Sequence, residues 1–131
     1  MAVGLKKLNL PDEHLVQSLA SFGGGIASTG GACGAFTGGV ICLGRLFGRS
    51  KPEDDDDRLM WKAAHEYYKR FRDEASLDGG HVDCREIVGV DWRNREQVQK
   101  YYQGAGRERC AAMTGKAAEI LGEILEKYTQ E

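Results

Sequence analysis

Several common signatures are missing from this chain, and each absence excludes a class of protein. No apolar run approaches the roughly 20 residues that a membrane-spanning helix needs. The best candidate, 38–47, is short and is broken by Gly44 and Arg45. The segment Met1 to Lys7 has no apolar signal-peptide core, so a cytoplasmic protein is expected. Positive charge is not in excess: 18 Lys and Arg stand against 20 Asp and Glu, a formal net charge of -2, with both signs interspersed. A nucleic-acid binder driven by phosphate neutralisation is therefore not expected. Cys-x-x-Cys is absent, and with it the thioredoxin-type and zinc-knuckle spacings. The glycine-rich segment lacks the terminal Gly-Lys-Ser/Thr of a phosphate loop, and no strand precedes it. Nothing alternates with period two for long enough to suggest a strand, and there is no internal repeat.

What is present is a run of small residues from Phe22 to Gly39 with one cysteine inside it, leading into the apolar Val40-Ile41-Cys42-Leu43. Glycine at this density costs backbone entropy and needs a reason. It would allow the backbone to turn tightly around a thiol, or two helices to touch at close range. Gly30, Gly34, Gly38 and Cys42 recur every four residues, and residues four apart share a helix face. The 131 residues are enough for one domain with its own core, taken as 1–131.

Helix signals are dense. Pro11-Asp12-Glu13 reads as a helix start, with Leu15, Leu19 and Phe22 on one face and Gly23 to Gly25 ending it. Ser28 and Thr29 are candidate caps for a second helix from about Gly31 to Phe47. The run Asp54 to Asp57 suits the N-terminus of a third, from about Asp56 to Ala75, whose apolar face is Met60, Ala63, Ala64, Tyr67 and Phe71. The residues 76–82 form a loop. Asp83-x-x-Glu86 resembles a capping box for a short helix ending near Gly89. Asn94 opens another through about Gln103, and a last helix runs from about Arg107 to Tyr128. The fold expected is all-α, a small bundle of about five to six helices with a glycine-rich helix–loop–helix near the N-terminus. Too few residues precede Pro11 for a further full helix.

The four cysteines carry the candidate chemistry. Cys33 and Cys84 fall in predicted first turns, and Cys110 lies near the start of the last helix. Helix N-termini offer unpaired N–H groups and partial positive charge, which favour the thiolate, the reactive and metal-binding form. Arg85, Arg107 and Arg109 would act in the same direction if they lie near the sulfurs. Cys33, Cys84 and Cys110 are therefore the candidate catalytic residues, able to converge at one end of a bundle. Gly34, Ala35 and Gly38 are the candidate cofactor-binding positions, with the cofactor itself unspecified. Cys42, more than two turns into its helix, is expected to be a buried packing residue.

Three readings stay open. The thiols could carry out redox exchange. They could bind a metal ion or iron–sulfur cluster, with His81 or an external group as fourth ligand. They could instead be buried structural residues of a helical interaction module, one able to form a homodimer through the glycine face. The histidines argue for none of these: His14 and His65 fall on exposed helix faces, and His81 in a glycine-flanked loop.

The block Cys33-Gly34-Ala35-Phe36-Thr37-Gly38, preceded by Phe22-Gly-Gly-Gly-Ile26 and followed by Cys84-Arg85-Glu86-Ile87 and Cys110, resembles the redox-active protein family named for a Cys…Cys-Gly-Ala-x-x-Gly…Cys…Cys pattern. The resemblance covers about Leu15 to Leu125. It implies a small, mostly helical protein, a cysteine redox role for Cys33, Cys84 and Cys110, and a functional link to a transporter. The chain departs from the pattern at one point. The family's first cysteine lies upstream of the glycine run, whereas here no cysteine precedes Cys33; Cys42 restores the count but not the position.

Overall fold

The structure is a computed structural model that describes residues 1–77 and 79–130; Asp78, within the expected loop 76–82, lies outside the described residues. Seven α-helices are found among them: α1 (Ala2–Lys7), α2 (Glu13–Ser18), α3 (Gly34–Phe47), α4 (Leu59–Arg70), α5 (Cys84–Val88), α6 (Arg95–Gln103) and α7 (Gly106–Thr129). The described residues contain no strand, only one isolated antiparallel bridge between Ala32 and Asp83. The fold is all-α, as the periodicity requires.

The local signals explain most boundaries. The Asp12 carboxylate accepts from the Leu15 amide at 2.9 Å and starts α2. Asp57 does the same for Leu59 at 2.8 Å, so the aspartate run serves as the start of α4. Asn94 accepts from the amides of both Glu96 and Gln97 and caps α6. Gly89 ends α5 with φ 69°, a left-handed conformation that suits glycine. Asp83, by contrast, makes no side-chain cap bond, so the expected capping box does not form.

The core lies between α3, α4 and α7. From α7 come Met113, Ala117, Ile120, Leu121, Ile124, Leu125 and Tyr128, one continuous stripe at helical spacing. From α3 come Cys42, Leu43 and Phe47; from α4, Leu59, Ala63 and Tyr67, continued by Phe71 and Ala75 in a wider π-type turn, Phe71–Ala75. Each large side chain removed from water here contributes about 1.5–3 kcal/mol before entropy is counted.

The N-terminal third differs from the sequence reading in three ways. A short helix of six residues, α1, does precede Pro11, and its Leu5 is buried in the core. The second helix begins at Gly34 rather than Gly31, with Cys33 as its N-cap. Ser28 and Thr29 are not caps. They belong to a left-handed turn in which Gly24, Gly25, Ile26, Ala27 and Ser28 have φ of 63°, 75°, 60°, 53° and 58°. Side chains in this conformation cost on the order of 1–2 kcal/mol each, and Ile26 is β-branched. Amide bonds across six residues hold the turn, Ala27 to the Ser21 carbonyl at 2.7 Å and Gly31 to the Gly25 carbonyl at 2.9 Å. A Cβ on Gly25 would stand 2.4 Å from the Gly31 carbonyl oxygen, so this glycine admits no larger residue.

The glycine stripe of α3 is filled from within the chain. A Cβ on Gly39 would fall 2.3 Å from the Tyr67 ring, and one on Gly38 would meet Met1 at 3.4 Å. Close approach is thus what these glycines provide, of Gly39 to α4 and of Gly38 to the start of α1.

Candidate functional site

The strained turn delivers the chain to the Ala32–Asp83 bridge, and the bridge positions two cysteines. The Cys33 amide donates to the Val82 carbonyl and the Cys84 amide to the Gly31 carbonyl, both at 2.7 Å. In this pattern Ala32 faces Asp83, and Cys33 and Cys84 flank that pair on the same side of the pleat. They are diagonal neighbours, for which regular geometry gives Cα atoms roughly 7–8 Å apart. That is just outside the roughly 7 Å limit for a disulfide without backbone movement. All four cysteines are free.

Each of three thiols has its own hydrogen-bond donor. Cys33 receives the backbone N–H groups of Ala35 and Phe36 from the open first turn of α3. Cys84 receives the Trp92 indole N–H at 3.2 Å. Cys110 is hydrogen-bonded by the Tyr101 hydroxyl. Trp92 and Tyr101 meet edge to face with ring centroids 4.9 Å apart. Charge on Cys110 would oppose the thiolates of both Cys33 and Cys84, and charge on Cys33 that of Cys84, so the three sulfurs share one neighbourhood. The buried Tyr67, whose hydroxyl donates to the Ala35 carbonyl at 3.0 Å, borders Cys33 and Cys42.

Convergence, which spacing allowed but did not require, is therefore found for Cys33, Cys84 and Cys110. The expected activation of the thiols is not. Burial pushes the thiols of Cys33 and Cys84 above the ordinary value, overcoming the donors that act in the other direction. Cys33 is 7% exposed and Cys84 6%. Arg85 does not face the sulfurs: its guanidinium lies over Gly30 and donates to the Thr29 carbonyl at 2.9 Å. Cys110 is also not in a first turn. With α7 beginning at Gly106, its amide is already paired within the helix.

Cys42 is fully buried, its sulfur 2.8 Å from where a Cβ on Gly4 would lie, which is the packing role expected of it. The candidate cofactor positions lie at packing contacts and also line shallow clefts, Gly34 and Ala35 beside Met1 and Tyr67 and Gly38 beside Phe22. Gly34 faces the Phe22 carbonyl oxygen, Ala35 accepts from Tyr67, and Gly38 faces Met1. Among the described residues, no group of three His, Cys, Asp or Glu side chains is placed to hold a metal ion. His14, His65 and His81 are exposed, as periodicity and the glycine-flanked loop suggested. No helix of the described residues is long and apolar enough to cross a membrane.

Trp92, Tyr101 and Tyr67 were not singled out by sequence reasoning. Tyr67 stood only on an apolar face. Trp92 gave one signal, a lone large aromatic in the polar stretch between Asp91 and Arg93.

The family model described as "Putative redox-active protein (C_GCAxxG_C_C)" matches residues 1–124 of this chain. No curated protein and no solved structure matches it.

Proposed function

The chain belongs to that C_GCAxxG_C_C redox-active family, and on this premise we propose that it exchanges thiols and disulfides through Cys33 and Cys84, with Cys110 as a third, more accessible thiol. The observation that carries the reading is the bridge: two backbone hydrogen bonds of 2.7 Å hold Cys33 and Cys84 side by side from distant parts of the sequence. In the exchange, one cysteine as thiolate attacks an incoming disulfide, and the second displaces the bound fragment. The two thiols give up two electrons and two protons, and the incoming disulfide leaves as two thiols. The donors at each sulfur are suited to stabilising the thiolate as it forms, even though the resting groups are neutral thiols.

On this reading the protein works in a reducing, cytoplasmic setting, where thiols are the default state. The metal reading has no three-residue donor group among the described residues to support it. A homodimer through the glycine face is not favoured, because Tyr67 and Met1 of the same chain occupy that face. A functional link to a transporter is what the family resemblance implies.

Differential alkylation with peptide mass mapping, before and after mild oxidation, tests the reading. A reversible Cys33–Cys84 disulfide, closed by a backbone shift of about 1 Å around the bridge, is the expected product. Four thiols that stay free after oxidation would overturn it.

A further inference from the structure

Beside the cysteines lies a cleft of about 420 Å³ that the exchange chemistry does not itself require. Its walls are the left-handed turn at Ser28 and Thr29, the start of α5 at Arg85, and the loop Asp91, Trp92 and Arg93. The volume is in the range of small-molecule sites and suits one di- or tripeptide-sized half of a larger ligand whose other half stays in solvent.

The lining has a definite chemistry. Arg85 is hydrogen-bonded to a neutral partner, the Thr29 carbonyl, and shares the Asp91 carboxylate with Arg93 at longer range. Arg93 is shared with Asp91, whose carboxylate accepts from the Arg93 amide at 3.0 Å and stands 3.5 Å from its guanidinium. Two cations against one carboxylate leave the cleft positive, and arginine's planar fork matches carboxylates. The wall between the cleft and the thiols is Trp92. It packs against Gly24 of the strained turn, lines the cleft, and donates its indole N–H to the Cys84 sulfur. A non-glycine left-handed turn is costly and persists where its surroundings dictate it; here it shapes the opposite wall.

We propose that this cleft binds the carboxylate-bearing disulfide of a small peptidic thiol, with Arg85 holding a carboxylate and the Trp92 ring turning aside to admit the disulfide to Cys84. The proposal rests on the thiol–disulfide reading above. Cys84 loses its proton to solvent and attacks one ligand sulfur. The ligand S–S bond breaks, a Cys84–ligand mixed disulfide forms, and one ligand thiolate leaves and takes up a proton. Cys33, likewise deprotonated, attacks the Cys84 sulfur, closing the Cys33–Cys84 bond and releasing the second ligand thiol. One disulfide is reduced to two thiols while two protein thiols are oxidised.

The test uses the fully reduced protein and three disulfides: oxidised glutathione (anionic), cystamine (cationic) and 2-hydroxyethyl disulfide (neutral). Mass spectrometry follows modification of Cys84, and each rate is divided by that of a free thiol with the same reagent. Oxidised glutathione should be favoured over the other two by about tenfold, the size of one charge-assisted contact. Arg85→Gln should bring that ratio to about one, and Arg85→Lys should restore part of it. Arg93→Gln, on an exposed loop, should give a smaller loss in the same direction and serves as the test if circular dichroism shows Arg85→Gln to be misfolded. Equal corrected rates in the unaltered protein, or a ratio indifferent to both Gln variants, would overturn the cleft assignment. If 2-hydroxyethyl disulfide oxidises Cys33 and Cys84 as fast as the anionic reagent, the exchange reading stands and the cleft assignment falls. If no reagent reaches Cys84, both fall.

Discussion

Replacing Gly39 with alanine should destabilise the protein, although alanine is the better helix former. In an open helix the change gains about 0.5–1 kcal/mol. At Gly39 the new Cβ would lie 2.3 Å from two carbons of the Tyr67 ring and 2.4 Å from its hydroxyl oxygen. The ring cannot simply withdraw. It is fully buried, it packs against Phe36 and Phe71, and its hydroxyl is held at 3.0 Å by the Ala35 carbonyl. Overpacking of this kind costs about 1–3 kcal/mol, and a displaced hydroxyl forfeits a hydrogen bond worth about 1 kcal/mol. After the propensity gain, the net loss is about 2 kcal/mol, or about 8 °C in Tm for a chain of this size. Gly115→Ala is the control, since a Cβ there meets nothing within 4 Å. It should raise stability by about 0.5–1 kcal/mol. Urea unfolding of the two variants beside the parent measures both. A Gly39→Ala protein as stable as the parent would refute the claim that this glycine exists to seat Tyr67.

Other outcomes follow from the same geometry. Trp92→Phe removes the N–H that favours the Cys84 thiolate, so the pH midpoint for alkylation of Cys84 should move upward; an unchanged or lower midpoint would contradict the hydrogen bond. Because burial raises the thiols of Cys33 and Cys84, the unfolded chain loses these protons first, from about pH 8.5. Their contribution to stability is therefore complete below that pH and declines above it as pH rises towards the folded values; the double variant Cys33→Ala, Cys84→Ala should show a flatter alkaline decline in denaturant titrations. Cys42→Ala should cost on the order of 1 kcal/mol in unfolding measurements by leaving a small cavity, while oxidation of Cys33 and Cys84 proceeds as before. Ile26→Gly should stabilise by about 1 kcal/mol in the same measurements, because it relieves a left-handed β-branched residue.

The helices were legible because their signals are local. The spacing of Met113, Ala117, Ile120, Ile124 and Tyr128 requires no knowledge of what lies opposite, and the caps at Asp12 and Asn94 act within three residues. Local reading failed where the backbone leaves the usual regions. Nothing in Ile26-Ala27-Ser28 announces a left-handed turn, because its cost is offset by amide bonds to Ser21, Gly24 and Gly25 that exist only once the turn has formed. The expected cap at Ser28 and Thr29 failed for that reason.

The chain by itself thus determined its helices, their faces, and the cysteine positions that define its family, all of which follow from short-range periodicity and motif. Tertiary structure alone decided which thiols meet and what state they rest in. Cys33 and Cys84 become neighbours through one bridge between Ala32 and Asp83, and a helix N-terminus that should have favoured the thiolate is overruled by burial, since desolvation depends on everything packed around the sulfur rather than on the residues beside it in sequence.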